Sequence, residues 1–153
     1  MSSVINVGGV VKARQGTSYN VIGHEVHVKK SSAGTNGGSF TFELVTAPGV
    51  PGPPPHIHEH EDELIVVVSG EFDVLIDGEV TRAKAGDVMD FARGTAHTFT
   101  QVGNEPGVTV WTVTPGASFE AFFEELGALP AGPPDPAVLV PLFARYGMTI
   151  LAP

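Results

Sequence analysis

Glycine and proline recur so often that most of this chain cannot sustain a long regular element. Nineteen glycines and thirteen prolines in 153 residues separate short runs rich in Val, Ile, Thr and Phe. That rhythm predicts many short strands joined by turns. The candidate strands are Tyr19–Lys29, Ser39–Thr46, Glu63–Ser69, Glu71–Ile76, Val80–Ala83, Val88–Phe91, Ala96–Val102 and Thr109–Thr114. Asp77-Gly78, within "IDGEV", is a strong hairpin signal. "SSAGTNGG" (31–38) reads as a flexible hairpin loop. Strands at this spacing without intervening helices predict an antiparallel sandwich or barrel.

The pattern changes after residue 115. Phe119, Phe122, Phe123 and Leu126 in "ASFEAFFEELG" recur at helical spacing, with Ser118 as a candidate cap and Gly127 as terminator. "LPAGPPDP" is a linker. In "DPAVLVPLFARYG", Asp135 is placed to cap a second helix, with Pro136 at its first position and Gly147 at its end. Pro141 inside that segment demands a kink or a short helix. The length suits one domain spanning 1–153, with a barrel over about 17–115 and a helical segment over about 117–148 packed on the barrel or on a partner subunit. No internal repeat is present.

Composition narrows the chemistry. A net charge of −9, with few Lys and Arg, argues against nucleic acid and anionic membranes as partners. There is no cysteine, so a metal would have to be held by histidine, carboxylate or water. No apolar run reaches the roughly 20 residues of a membrane span, and the N-terminus lacks the pattern of a secretory signal. A soluble, cytoplasmic protein is the expectation.

The stretch "PPPHIHEHEDE" (53–63) gathers three of the six histidines. His56 and His58 are two apart, so an extended segment turns both imidazoles to one side. A chain that reverses at "EHED" can return Glu63 beside them. His97, at the start of "HTFTQV", is the remaining histidine in a candidate strand of the same half of the barrel. Three imidazoles and a carboxylate suit one divalent transition metal ion: Ni, Mn, Fe or Zn. His24 and His27 read as ordinary strand residues. His60 reads as an exposed turn residue with the spacing of an alternate ligand, and Glu59, Glu61 and Asp62 read as a solvated turn.

These residues carry a family resemblance. "PPHIHEHEDELIVVVSG" resembles the first cupin motif, with His56, His58, Glu63 and Gly70 in register. "GDVMDFARGTAH" resembles the second, with Gly86, Gly94 and His97 in register. Ala92 stands where a proline is usual and Gln101 where many members have Asn, which touches turn geometry rather than ligands. Flanking segments are similar to single-domain bacterial cupins related to quercetin 2,3-dioxygenase. The resemblance implies an all-β cupin jelly-roll barrel with a C-terminal α-helical extension, usually a homodimer, and a metal held by His56, His58, Glu63 and His97.

It further implies a metal-dependent dioxygenase that cleaves a flavonol-like or enolisable aromatic substrate with dioxygen, Glu63 serving as catalytic base. Phe42, Phe91 and Phe99 are candidate walls of the substrate pocket, Phe99 because it shares a strand face with His97. Two alternatives stay open. One is non-oxidative isomerase, lyase or hydrolytic chemistry by the same metal; the other is a metal-anchored small-molecule binding protein without turnover.

Overall fold

A computed structural model describes residues 8–151. Eleven strands form two antiparallel sheets. They are β1 (Ser18–Val21), β2 (His24–Lys30), β3 (Phe40–Thr46), β4 (His56–His58), β5 (Asp62–Ser69), β6 (Glu71–Ile76), β7 (Glu79–Lys84), β8 (Val88–Phe91), β9 (His97–Val102), β10 (Gly107–Thr114) and β11 (Met148–Ile150). The six-stranded sheet runs β1-β2-β3-β10-β5-β8, and the five-stranded sheet runs β11-β4-β9-β6-β7. The chain leaves the first sheet after β3, enters the second as β4 and returns as β5. This exchange between sheets makes the jelly roll.

Period-two alternation decides which side chains fill the space between the sheets. Phe40, Phe42 and Leu44 of β3 point inward, as do Ile65 and Val67 of β5, and all are buried with Phe72, Phe99 and Trp111. The alternate β5 residues Leu64, Val66 and Val68 face outward and are exposed. The apolar run "LIVVV" is therefore one strand with a wet and a dry side. Gly70, which closes the first motif, has φ +80°, and a Cβ there would stand 2.8 Å from Gly107 Cα and from the Pro106 carbonyl oxygen. Only glycine allows that turn to press against the start of β10.

Three expectations are corrected. Tyr19–Lys29 is two strands, because Ile22 and Gly23 both adopt positive φ and turn the chain into a hairpin. The loop 31–38 is more than a bare hairpin turn: Ser32–Thr35 is a 3-10 helix, and Glu120 Oε1 accepts hydrogen bonds from the Ser31 and Ser32 hydroxyls and the Ser32 amide. Ser118 is not a helix cap. Helix α1 (Ala117–Gly127) begins after Gly116 without a side-chain cap, Ser118 lying inside its first turn.

Helix α1 buries Phe119, Phe122, Phe123 and Leu126, as their spacing predicts. Helix α2 (Pro136–Arg145) starts where Asp135 Oδ1 accepts from the Ala137 amide at 2.9 Å, and it stays short, with Pro141 inside. Gly147 then ends the segment at φ +75° and releases the chain into β11. Among the described residues no helix is long and apolar enough to cross a membrane.

Candidate metal centre

The first two histidines sit on a very short strand. β4 pairs antiparallel with β11, His58 opposite Met148 and His56 opposite Ile150, and on its other side with β9 through His56 and His97. Backbone bonds extend this clamp, from the Glu59 amide to the Gly147 carbonyl and from the Leu151 amide to the Pro55 carbonyl, each 2.9 Å. The C-terminal segment thus does more than pack on the barrel. It holds in register the strand that presents His56 and His58.

A tight approach fixes the loop leading into β4. Gly52 lies against β9 so closely that a Cβ would fall 1.7 Å from the Phe99 carbonyl oxygen. Beyond β4, the turn is held by the Gly94 amide donating to the His58 carbonyl at 2.8 Å and by Arg93 gripping the Asp62 carboxylate. That reversal brings Glu63, inward-facing on β5, back beneath the histidines. Gln101, in the place of the usual Asn, donates to the carbonyls of Val102, Gly103 and Glu105 and so organises the turn after β9.

His56, His58, Glu63 and His97 come together and are all buried. One nitrogen from each of the three imidazoles lies within 4.8 Å of the others. His56 Nε2 is 3.0 Å from His58 Nε2, Glu63 Oε1 is 3.4 Å from His58 Nε2, and Glu63 Oε2 is 3.3 Å from His97 Nε2.

The protons on these rings are fixed from outside. His56 Nδ1 donates to the Pro54 carbonyl at 2.8 Å and His97 Nδ1 to the Thr95 carbonyl at 3.0 Å, because a carbonyl oxygen can only accept. His58 Nδ1 faces Glu61 Oε2 at 3.2 Å. When neutral, rings held this way turn three Nε2 lone pairs and one carboxylate toward a common point. Glu63 Oε2 and His97 Nε2 are buried with no hydrogen-bond partner. Acceptors that face one another without a donor repel, and a cation between them removes the conflict. The donor set therefore fits a divalent metal of the borderline group.

Without a metal, the electrostatics differ between the rings. Burial, together with the charges of His97 and His58, lowers the His56 pKa to about 3, so this ring stays neutral. Burial also works against a charge on His58, yet Glu63 and Glu61 outweigh it and hold His58 above the usual histidine range. Burial by itself would raise Glu63, but the surrounding imidazoles keep it below the ordinary carboxylate range.

The centre lies at the wall of a cavity that is partly open to solvent. Its other walls are mainly apolar, with Phe99, Trp111, Phe119, Phe122, Phe123 and Phe143 prominent, and among the described residues no Lys or Arg lines it. Trp111 turns its only donor away, to Thr109 Oγ1 at 2.8 Å. Of the three expected walls, Phe99 lines the cavity and the other two do not. Phe42 is packed between Trp111 and Phe119, and Phe91 stacks on the His97 ring at 4.1 Å. Alternation put both on the inner face correctly, but other rings stand between them and the open space.

Other readings shift as well. His24 is buried and lines the cavity, with Nε2 donating to the Pro51 carbonyl at 3.0 Å and Nδ1 2.8 Å from Thr46 Oγ1, so neither nitrogen is free to ligate. Burial lowers its pKa. His27 and His60 stand as expected, His27 on a strand and bonded to Glu25 away from the site, His60 exposed. Glu61, read as part of a solvated turn, is instead 1% exposed. Nothing in "EHED" distinguishes it from exposed Glu59 except its place three residues after His58.

A jelly roll with a histidine–carboxylate centre inside one end of the barrel defines the class. The family model for the cupin domain matches residues 42–119, just over half of the chain, and the chain belongs to that family. Among solved structures it is similar to KdgF from Halomonas sp. (TM-score 0.61, 21% identity, covering 71% of this chain and 94% of that one). It is also similar to an RmlC-like cupin from Shewanella frigidimarina NCIMB 400 (TM-score 0.59, 19% identity, 73% and 96% covered). A third is Streptomyces Pac13 with uridine (TM-score 0.56, 16% identity, 72% and 84% covered). Identities this low establish a shared fold. No curated protein matches the chain.

Proposed function

We propose that this cupin is a metal-dependent dioxygenase acting on an apolar, enolisable aromatic substrate of the flavonol kind. The observation that supports it is the pairing of an acceptor-only centre with an aromatic cavity free of cationic side chains. Such a cavity rewards a flat, neutral ring and offers no cationic side chain to a phosphate or acid. His56, His58, Glu63 and His97 would hold the ion. A divalent metal bound there would supply Lewis acidity that lowers the pKa of a coordinated hydroxyl.

The protein's own groups supply the rest. Phe99, Trp111 and the α1 phenylalanines orient the ring and exclude water. Glu63 Oε2, without a hydrogen-bond partner, receives the substrate's hydroxyl proton. The enolate left behind is electron-rich at carbon, where dioxygen adds. The O–O bond and a carbon–carbon bond of the substrate ring then break, so dioxygen is reduced, the substrate is oxidised and both oxygen atoms end in product. The test is anaerobic reconstitution with Ni, Mn or Fe, followed by flavonol and oxygen, reading loss of flavonol absorbance and oxygen uptake. No turnover with any of these metals overturns the flavonol reading.

Glu63 accepts a proton equally well without oxygen, which favours a non-oxidative lyase or isomerase as the second reading. Substrate loss without oxygen uptake, over a panel of enolisable compounds, selects it. A Glu63→Gln variant that keeps its ligand, beside a wild type without turnover, selects a binding protein instead.

A further inference from the structure

We propose that Glu61 is a positioning residue of the metal centre: its carboxylate holds His58 and supplies the second negative charge for a buried dication. The proposal rests on the reading of His56, His58, Glu63 and His97 as the ligands. The three imidazoles are not held alike. His56 and His97 direct Nδ1 at backbone carbonyls, whereas His58 directs its Nδ1 at a carboxylate.

A buried carboxylate is a costly way to make one hydrogen bond. Glu61 is 1% exposed, and its only ion-pair partner among the described residues is His58. The two neighbours before it differ sharply, the side chains of Glu59 and His60 being 62% and 68% exposed. The turn could therefore have left Glu61 in water, yet folds it under the ring. An Nδ1–H donated to a carboxylate fixes the plane and tautomer of the ring and makes Nε2 a stronger donor to a metal. Glu61 and Glu63 together bring two negative charges to a dry site, which match a divalent ion.

The experiment is direct titration of the metal-free full chain with Zn(II) and Co(II), with the Co(II) absorption spectrum as a second readout. Glu61→Gln keeps an acceptor for Nδ1 but removes the charge. It is expected to bind roughly 10–100-fold more weakly and to shift the Co(II) bands. The Co(II) spectrum separates this role from a structural one, because a fold that is only less stable keeps the same ligands and the same bands. Glu59→Gln, an equal charge change in the same turn, should leave affinity and spectrum unchanged. Glu61→Gln with wild-type affinity and spectrum, or an equal loss in Glu59→Gln, overturns the proposal by itself. A wild-type chain that takes up neither ion overturns both the proposal and the ligand reading beneath it.

Discussion

Two buried carboxylates on the six-stranded sheet make an instructive pair. Glu43, on β3, faces outward under the N-terminal segment, and Glu63, on β5, faces into the barrel. Glu43 accepts from the Arg14 amide at 2.8 Å and from Arg14 Nη1 at 2.6 Å, with Lys29 Nζ 3.5 Å away. Its charge is matched by the chain itself. Glu63 meets imidazoles whose other nitrogens are already committed as donors, and its Oε2 has no hydrogen-bond partner. A carboxylate buried for structure carries its own counter-charge. One buried for chemistry is left open toward a cavity.

The sharpest way to break this contrast is to neutralise each in turn. Glu63→Gln is expected to lower kcat by about 10²–10⁴-fold in the flavonol assay. Glu43→Gln should leave turnover and metal affinity unchanged. An equal loss of turnover in both variants would erase the distinction.

Metal addition is the next largest effect. At 100 times the Kd, Zn(II) should stabilise the wild type by about 2.7 kcal/mol in a thermal or denaturant melt. His97→Ala should lose most of that gain, and a chelator should reverse it. Glu43→Gln should show the full gain from a lower starting point.

That lower starting point is itself a prediction, because weakening hydrogen bonds from charged groups to Glu43 costs about 1–3 kcal/mol, read by urea denaturation. The smallest effect is its pH dependence. Burial would raise the Glu43 pKa, but the Arg14 amide and the charges of Lys29 and Arg14 lower it overall. A lowered folded value stabilises the fold above the unfolded carboxylate pKa of about 4.3 and is lost as pH falls through the folded value. The stability gap between wild type and Glu43→Gln should therefore hold near neutrality and close in acid.

Much of the candidate site is legible in the chain because the placement of its side chains follows simple parity. His56 and His58 are two apart on an extended segment, Glu63 follows a reversal, and His97 starts a strand, so each inward orientation is local. The helices are equally local: the spacing of Phe119, Phe122, Phe123 and Leu126 specifies α1, and Asp135-Pro136 specifies the start of α2. The burial of Glu61 is not local. It depends on how the turn after β4 is held by β11, Gly94 and Arg93, which come from distant parts of the chain. Phe42 and Phe99 show the same limit, since alternation makes both inward-facing while only packing decides that Phe99 reaches the cavity.

By itself the sequence determined an antiparallel β fold with a helical tail and, through its resemblance to the cupin motifs, a barrel with an inward cluster of His56, His58, Glu63 and His97. Those follow from turn chemistry, period-two alternation and motif spacing, all short-range. Only the tertiary structure decided that β11 clamps β4, that α1 and α2 help wall the cavity, and that Glu61 sits beneath His58. These depend on contacts between segments far apart in the chain, where packing and hydrogen-bond matching outweigh local preference.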